Sequence, residues 1–359
     1  MKELLDTIEA WQADGVPFGR AVVVRTFGSA PRPEGAVLLG AADGRLAGSV
    51  SGGCVEGAAF ERIEEARRTG RSLVIRYGIS DEEAWDVGLA CGGTIDVLVE
   101  PAVRPEAIAA AQEQGRAVIT QLPPDSPPAA FGPHQPGAGA EPAPVIVVDA
   151  DGAVTGSSGS VADDAAIAAA ARDALNRGTS RTIEAGQRAW FVEAFPTRPR
   201  LVVVGAVEVA RSLVRIAREL GYETIVVDGR ASFATPARFP DVDRLVVGWP
   251  DEVADEIGLG PADAVAVLTH DVKFDEPAIV EALRRGCRYV GAVGSKKTQA
   301  DRRERLSAAG VTSDGLAHLR GPIGLDLGGR APAETALAIM AEVVAARYGG
   351  KGVPLAGSV

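Results

Sequence analysis

Five short Val-rich runs, LVVVG, TIVVD, RLVVG, AVAVLTH and RYVGAVG, recur between residues 201 and 294. Each has a continuous apolar stretch rather than an alternating one, so each reads as a strand buried on both faces. The segments around them, at 207–220, 251–257, 275–286 and 296–309, carry amphipathic helical patterns. Strands of this kind joined by helices fit a parallel sheet covered on both sides. The second half of the chain therefore predicts a Rossmann-like, doubly wound domain. A last helix at 332–347, opened by Pro332, packs back on the sheet.

A dinucleotide-binding sheet of this type has a glycine fingerprint after its first strand. Gly205, Val207 and Ala210 stand at the three positions of G-x-G-x-x-G/A. Asp228 closes the second strand 23 residues after Gly205, where an acidic group meets a ribose hydroxyl. The middle glycine is missing. Val207 sets a β-branched side chain where backbone N–H groups normally approach a pyrophosphate. Glu208 beside it would repel a phosphate by roughly 4 kcal/mol at about 4 Å and an effective dielectric of about 20. Glu208 also suits the first turn of a helix through the macrodipole. The fold follows from the pattern, and NAD(P) binding at this turn does not. Other strand ends are better equipped: His270, Asp271 and Lys273 follow the fourth strand, and Gly294, Ser295, Lys296 and Lys297 follow the fifth. Strand C-termini are where open α/β sheets bind ligands, and a Gly-Ser step opening a helix suits an anion. The alternative for Lys296 and Lys297 is a solvated helix start. RGPIGLDLGG at 320–329 is a further Gly-rich loop before the last helix.

The first half reads differently. A helix at 2–13 precedes a strand at 20–26, a hairpin of 36–40 with 45–50, and a helix from 54 to 68. SLVIRYG and TIDVLVEP are further strands, and two more surround the Asp-Gly turn after Pro144. A helix at 161–176 and strands near 181–195 follow. Residues 123–144, rich in Pro, Gly and Ala, form a surface loop and no domain boundary. The boundary falls in FPTRPR. The fold class is thus α/β, with an N-terminal mixed α/β domain over 1–198 and a Rossmann-like domain over 199–359.

Two of the three cysteines in this first half, Cys54 in SGGCVEG and Cys91 in ACGGT, adjoin paired glycines on loops. Such a cysteine is either a small buried side chain in a tight turn or a thiol aimed at a ligand. Placed in the first turn of the helix from 54, Cys54 would have its thiolate favoured by the helix N-terminus. Cys287, in RRGCRYV, reads as core packing. Three cysteines without C-x-x-C and three histidines, His134, His270 and His318, argue against a structural zinc site. A Cys54–Cys91 disulfide is disfavoured in a reducing compartment. The net charge of −11 argues against nucleic-acid binding through phosphates. No apolar run reaches the roughly 18 residues of a membrane span, and the N-terminus lacks the pattern of a signal peptide. A cytoplasmic location is expected.

SGGCVEGA, GLACGGTIDVLVEP, ELGYETIVVDGR, LTHDVKFD, YVGAVGSKKT and PIGLDLGGRAPAETALAIMAEVVA occur in one order. Together they resemble the xanthine dehydrogenase accessory factor family, XdhC/CoxI, from about residue 10 to 348 apart from the Pro-rich loop. The resemblance implies a maturation factor, a carrier without turnover of its own. Such a factor binds the molybdenum cofactor, supports its sulfuration by a cysteine desulfurase and inserts it into an apo-molybdenum hydroxylase, of the xanthine or carbon monoxide dehydrogenase class. Molybdenum favours soft sulfur ligands, so Cys54 and Cys91 become its candidate ligands. Gly52 and Gly53 would leave room for the pterin, Glu56 would accept a hydrogen bond from it, and Gly92 and Gly93 would flank the second cysteine. Gly205, Asp228, His270, Asp271, Gly294, Ser295 and Lys296 are candidate contacts for its phosphate or nucleotide end.

Many family members carry G-A-G-H-V where this chain has GAVEV, which removes support from any contact at that turn. The rival class is an oxidoreductase of the xanthine dehydrogenase type, using NAD(P) or molybdopterin directly. A third is a nucleotide enzyme with Asp271 or Glu208 on a metal ion. A homodimer is a further expectation, with no residue to carry it.

Overall fold

The structure, a computed structural model, describes residues 1–78, 93–127, 139–141, 143 and 145–354. The chain divides into two compact units, Met1–Thr197 and Arg198–Val359.

The N-terminal unit is built on two antiparallel five-stranded sheets. The first comprises β1 (Phe18–Phe27), β2 (Val37–Ala41), β3 (Leu46–Gly48), β4 (Leu73–Tyr77) and β5 (Thr94–Glu100), in the order β3-β2-β1-β5-β4. The second comprises β6 (Arg116–Gln121), β7 (Val145–Asp149), β8 (Val154–Thr155), β9 (Arg181–Ala185) and β10 (Arg188–Phe195), in the order β8-β7-β6-β10-β9. Among the described residues, four α-helices complete the unit: α1 (Leu5–Ala13), α2 (Glu56–Thr69), α3 (Pro105–Glu113) and α4 (Val161–Arg177).

Alternation along β1 sends Ala21 and Val23 to one face, where they meet Ala59, Ile63 and Ala66 of α2. Val22 and Val24 go to the other face and share a core with Ile8 and Trp11 of α1 and Phe191 of the second sheet. α4 covers the far side of that second sheet, packing Ile167, Ala171 and Ala174 on Ile119, Ile146 and Val192. Charge is buried in this unit as well. The fully buried Arg20 bonds Glu100 of its own sheet at 2.6 Å and Glu193 of the other at 2.9 Å.

The C-terminal unit has six parallel strands: β11 (Arg200–Val204), β12 (Glu223–Asp228), β13 (Arg244–Val247), β14 (Ala264–Val267), β15 (Tyr289–Ala292) and β16 (Leu319–Arg320). Their order is β13-β12-β11-β14-β15-β16, so the winding reverses between β11 and β14. One face is covered by α5 (Glu208–Glu219) and α10 (Pro332–Tyr348). The other is covered by α6 (Ala254–Ile257), α7 (Val272–Arg284) and α8 (Lys296–Ala308); α9 (Ser313–His318) precedes β16. This is the doubly wound sheet expected of the Val-rich runs. Among the described residues, no helix is long and apolar enough to cross a membrane.

Three differences from the sequence reading have local causes. α2 begins at Glu56 with Val55 as N-cap, so Cys54 lies outside the helix rather than in its first turn. Only Ala254–Ile257 of the expected helix at 251–257 is helical, and it is closed by Gly258 in the left-handed conformation. A sixth short strand, β16, joins the edge of the sheet beside β15.

Candidate functional site

The SGGC loop is organised by a carboxylate. Glu56, the first residue of α2, turns back over the chain leaving β3. Its Oε1 accepts from Ser49 Oγ at 2.6 Å, Val50 N at 3.2 Å and Ser51 N at 2.9 Å. Its Oε2 accepts from Ser51 Oγ at 2.6 Å and Gly53 N at 2.8 Å. The serine hydroxyls take the remaining amides: Gly52 N donates to Ser49 Oγ, and Cys54 N and Val55 N donate to Ser51 Oγ. Every backbone N–H from Val50 to Val55 is therefore turned inward. Burial works against the Glu56 charge, yet the bonds from Ser49 and Ser51 lower its pKa to about 2.

What such a loop can offer outward is sulfur. Cys54 is exposed, which overturns the alternative of a cysteine buried in a tight turn. Gly52 (φ +81°) and Gly53 (φ +118°) hold backbone conformations that L side chains rarely adopt, and a Cβ on either would point into open space. The expectation for Glu56 needs correction. A carboxylate has about four lone-pair directions, and five donors of the chain itself already converge on this one. Its role is to shape the loop. Cys91 and Gly92 lie outside the described residues. Gly93 is placed by packing, since a Cβ there would come within 2.7 Å of Ala30 N. Cys287 is core as expected, and burial pushes its thiol up to about 12.

In the C-terminal unit the candidates gather at the C-terminal edge of the sheet. Gly205 (φ +110°) is required by close approach, because a Cβ would overlap Thr269 at the end of β14. The turn after it does not present the amides a pyrophosphate needs. Ala206 N donates to Asp228 Oδ2 at 2.8 Å and Val207 N donates to Gly205 O at 2.9 Å. Asp228 is likewise committed. Its Oδ1 accepts from Arg230 N and Nε at 2.9 Å, and its Oδ2 also accepts from Arg230 Nη2 at 2.7 Å. Although burial opposes the charge, these bonds hold Asp228 below the usual carboxylate range. The ribose role expected of Asp228 is corrected accordingly: its lone pairs are filled by Ala206 and Arg230.

His270 is exposed, and Asp271 caps α7 by accepting from Lys273 N at 3.0 Å. Ser295 caps α8 by accepting from Thr298 N at 3.1 Å, with Lys296 exposed at the first helical position and Gly294 at φ +133° just before. Beneath these loops lies a polar layer that spacing did not reveal. Buried Asp275 accepts from Thr269 and pairs with buried Arg302 at 3.0 Å. Arg302 in turn bonds Val293 O at 2.9 Å, and Gln299 donates to Ala292 O at 2.9 Å. The His270 and Ser295 loops are thus fixed to one another through α7 and α8. Ser49, Ser51, Arg230 and Asp275 are the residues missed; polar side chains in loops gave no periodic signal to find them by.

Comparison with known proteins falls in line with this architecture. The model of the XdhC and CoxI family matches residues 11–78, and that of the XdhC Rossmann domain matches 201–343. The chain belongs to the XdhC/CoxI family. Over 341 residues it is 27% identical to a probable xanthine dehydrogenase subunit of Bacillus subtilis, covering 91% of this chain and 92% of that one. It is 24% identical to the molybdenum cofactor insertion chaperone PaoD of Escherichia coli, covering 95% of this chain and 88% of that one. A crystal structure described as a xanthine dehydrogenase from Bacillus halodurans shares the fold, with a TM-score of 0.65 and 23% identity over 99% of this chain and 97% of the other.

Proposed function

We propose that this protein is a maturation factor for a molybdenum hydroxylase, which binds molybdenum cofactor as its cargo, supports its sulfuration and inserts it into the apo-enzyme. The observation that carries this reading is the exposed thiol of Cys54, set on a loop whose own amides are all used internally. A loop that binds phosphate keeps its N–H groups for the ligand. This one spends them on Glu56, Ser49 and Ser51 and leaves a soft sulfur donor, the ligand type that suits molybdenum. The open side of Gly52 and Gly53 leaves room for a flat ligand beside the thiol. The similarity to PaoD, spread over 95% of the chain, supports the same reading. In it Cys54 holds the metal end of the cargo and Cys91 assists; Ser295 with Lys296, on the C-terminal unit, are by themselves candidates for an anion. The apo-hydroxylase and a cysteine desulfurase are the partners, and the protein turns nothing over itself. The inward-turned amides of Ala206 and Val207 weigh against a nicotinamide enzyme.

The test is to produce the protein in cells that make molybdenum cofactor, oxidise it after purification and measure fluorescent pterin. Wild type should carry pterin, and Cys54→Ala should lose most of it. Pterin absent from wild type, or retained in full by Cys54→Ala, would overturn the assignment of Cys54 as the cargo's anchor.

A further inference from the structure

We propose that the C-terminal unit carries a stacking seat for one planar heteroaromatic ring, a nucleobase or a pterin bearing a phosphate, formed by Trp249 and Arg230, which follow the paired ends of β13 and β12. Four exposed apolar side chains follow the C-terminal ends of neighbouring parts of the sheet: Phe233 after β12, Val247 and Trp249 at the end of β13, and Val272 after β14. Trp249 is 44% exposed, yet it is held in place. Its ring lies 5.5 Å from that of Phe274 in α7, tilted by 56°. Gly229 lies close against this pair, since a Cβ there would come within 3.3 Å of Phe274 and 4.0 Å of Trp249. Gly248, between β13 and Trp249, donates to Asp228 O and so fixes the indole next to the end of β12. A fixed, half-exposed aromatic face is the feature on which a base stacks.

Arg230 supplies the polar edge. Asp228 grips its Nε and Nη2, and its guanidinium lies over the Phe233 ring at 4.0 Å. Both contacts are made while half of the side chain stays exposed. With Nε and Nη2 engaged by Asp228, the guanidinium has its Nη1 edge to donate to a phosphate oxygen or a ring carbonyl. The committed Asp228 and the inward amides of Ala206 and Val207 argue against a dinucleotide lying across the turn. One ring with one phosphate is what remains. This inference rests on the C-terminal unit alone and holds whether or not Cys54 carries a cofactor.

The experiment is calorimetric titration of the full chain with GMP, guanosine, neopterin and NAD, on wild type, Trp249→Leu, Trp249→Phe and Arg230→Gln. Saturable binding of GMP or neopterin is expected, weakened about tenfold or more by Trp249→Leu and largely kept by Trp249→Phe. GMP should bind more tightly than guanosine, with the gap closed by Arg230→Gln, and NAD no more tightly than GMP. Binding of GMP alone identifies a nucleobase seat, and binding of neopterin alone a pterin seat. If neither binds up to about 1 mM, or if both Trp249→Leu and Arg230→Gln bind as wild type does, the seat is overturned. Circular dichroism and thermal unfolding of each variant separate loss of the seat from loss of the fold, and Arg230→Gln reads the site if Trp249→Leu does not fold. Ring binding that depends on Trp249, in a protein that carries no pterin, would sink the carrier reading and leave this one standing. Cys54-dependent pterin without any ring binding would do the reverse.

Discussion

Glu56 shows how much of a site one side chain can decide. Read as a residue next to a cysteine and two glycines, it invites a role on the ligand; in three dimensions it is the post around which residues 49–55 are wound. Replacement by Gln leaves one acceptor oxygen and sets an NH2 group against inward-pointing donors. Glu56→Gln should therefore cost about 1–3 kcal/mol. The pH dependence has a definite sign. The folded value of about 2 lies below the ordinary 4.5, so the charge stabilises fully above pH 4.5, and that contribution fades as pH falls toward 2. Urea unfolding of wild type and Glu56→Gln should accordingly converge as pH is lowered through that window; a constant gap would mean that the carboxylate charge does not stabilise the loop. The cysteine and its glycines were legible in sequence. The serines that hold them were not, because a hydroxyl's task depends on which atom the fold brings within 3 Å.

The strands and helices followed from periodicity wherever burial imposed it. β11, β12 and β14 share central apolar runs, 201–204, 225–227 and 264–267, because both faces are covered there, and α5 has its buried residues Ala210, Leu213, Val214 and Ala217 on one side. Beside the short α9 and β16, α3 and β6 fall outside the expected set although their signals are present: α3 starts on a Pro suited to a helix N-terminus, and β6 is a short Val-Ile run. The junction of α7 and α8 was beyond pattern, because it rests on a pairing 27 residues apart in sequence. Removing one partner of that pair should be severe. Asp275→Ala leaves Arg302, 3% exposed, without its counter-charge, for an expected cost of about 3–5 kcal/mol. Asp275→Ala with Arg302→Met should recover much of it, as denaturant unfolding of the single and double variants will show. A double variant no more stable than Asp275→Ala would mean that Arg302 is not the group stranded by the loss.

At the scale of the molecule, each of the six apolar clusters lies wholly within Met1–Thr197 or wholly within Arg198–Val359. A unit with its own core has what it needs to fold alone. Residues 198–359, produced by themselves, should unfold in one cooperative urea transition; a fragment without one would show that the six-stranded parallel sheet needs the rest of the chain. The sequence by itself determined the parallel sheet and its helices, the glycines that bend the chain, the cysteines beside them and, through six blocks in order, the family. Those features are written in residues near one another along the chain, where periodicity and backbone freedom act. Only the tertiary structure decided that Cys54 faces outward, that Glu56 and Asp228 spend their lone pairs on the protein itself, and that Arg230 and Trp249 stand at one edge. Each of those outcomes turns on which donor reaches which acceptor after distant segments have packed, and hydrogen bonds are decided by distances that spacing along a chain does not carry.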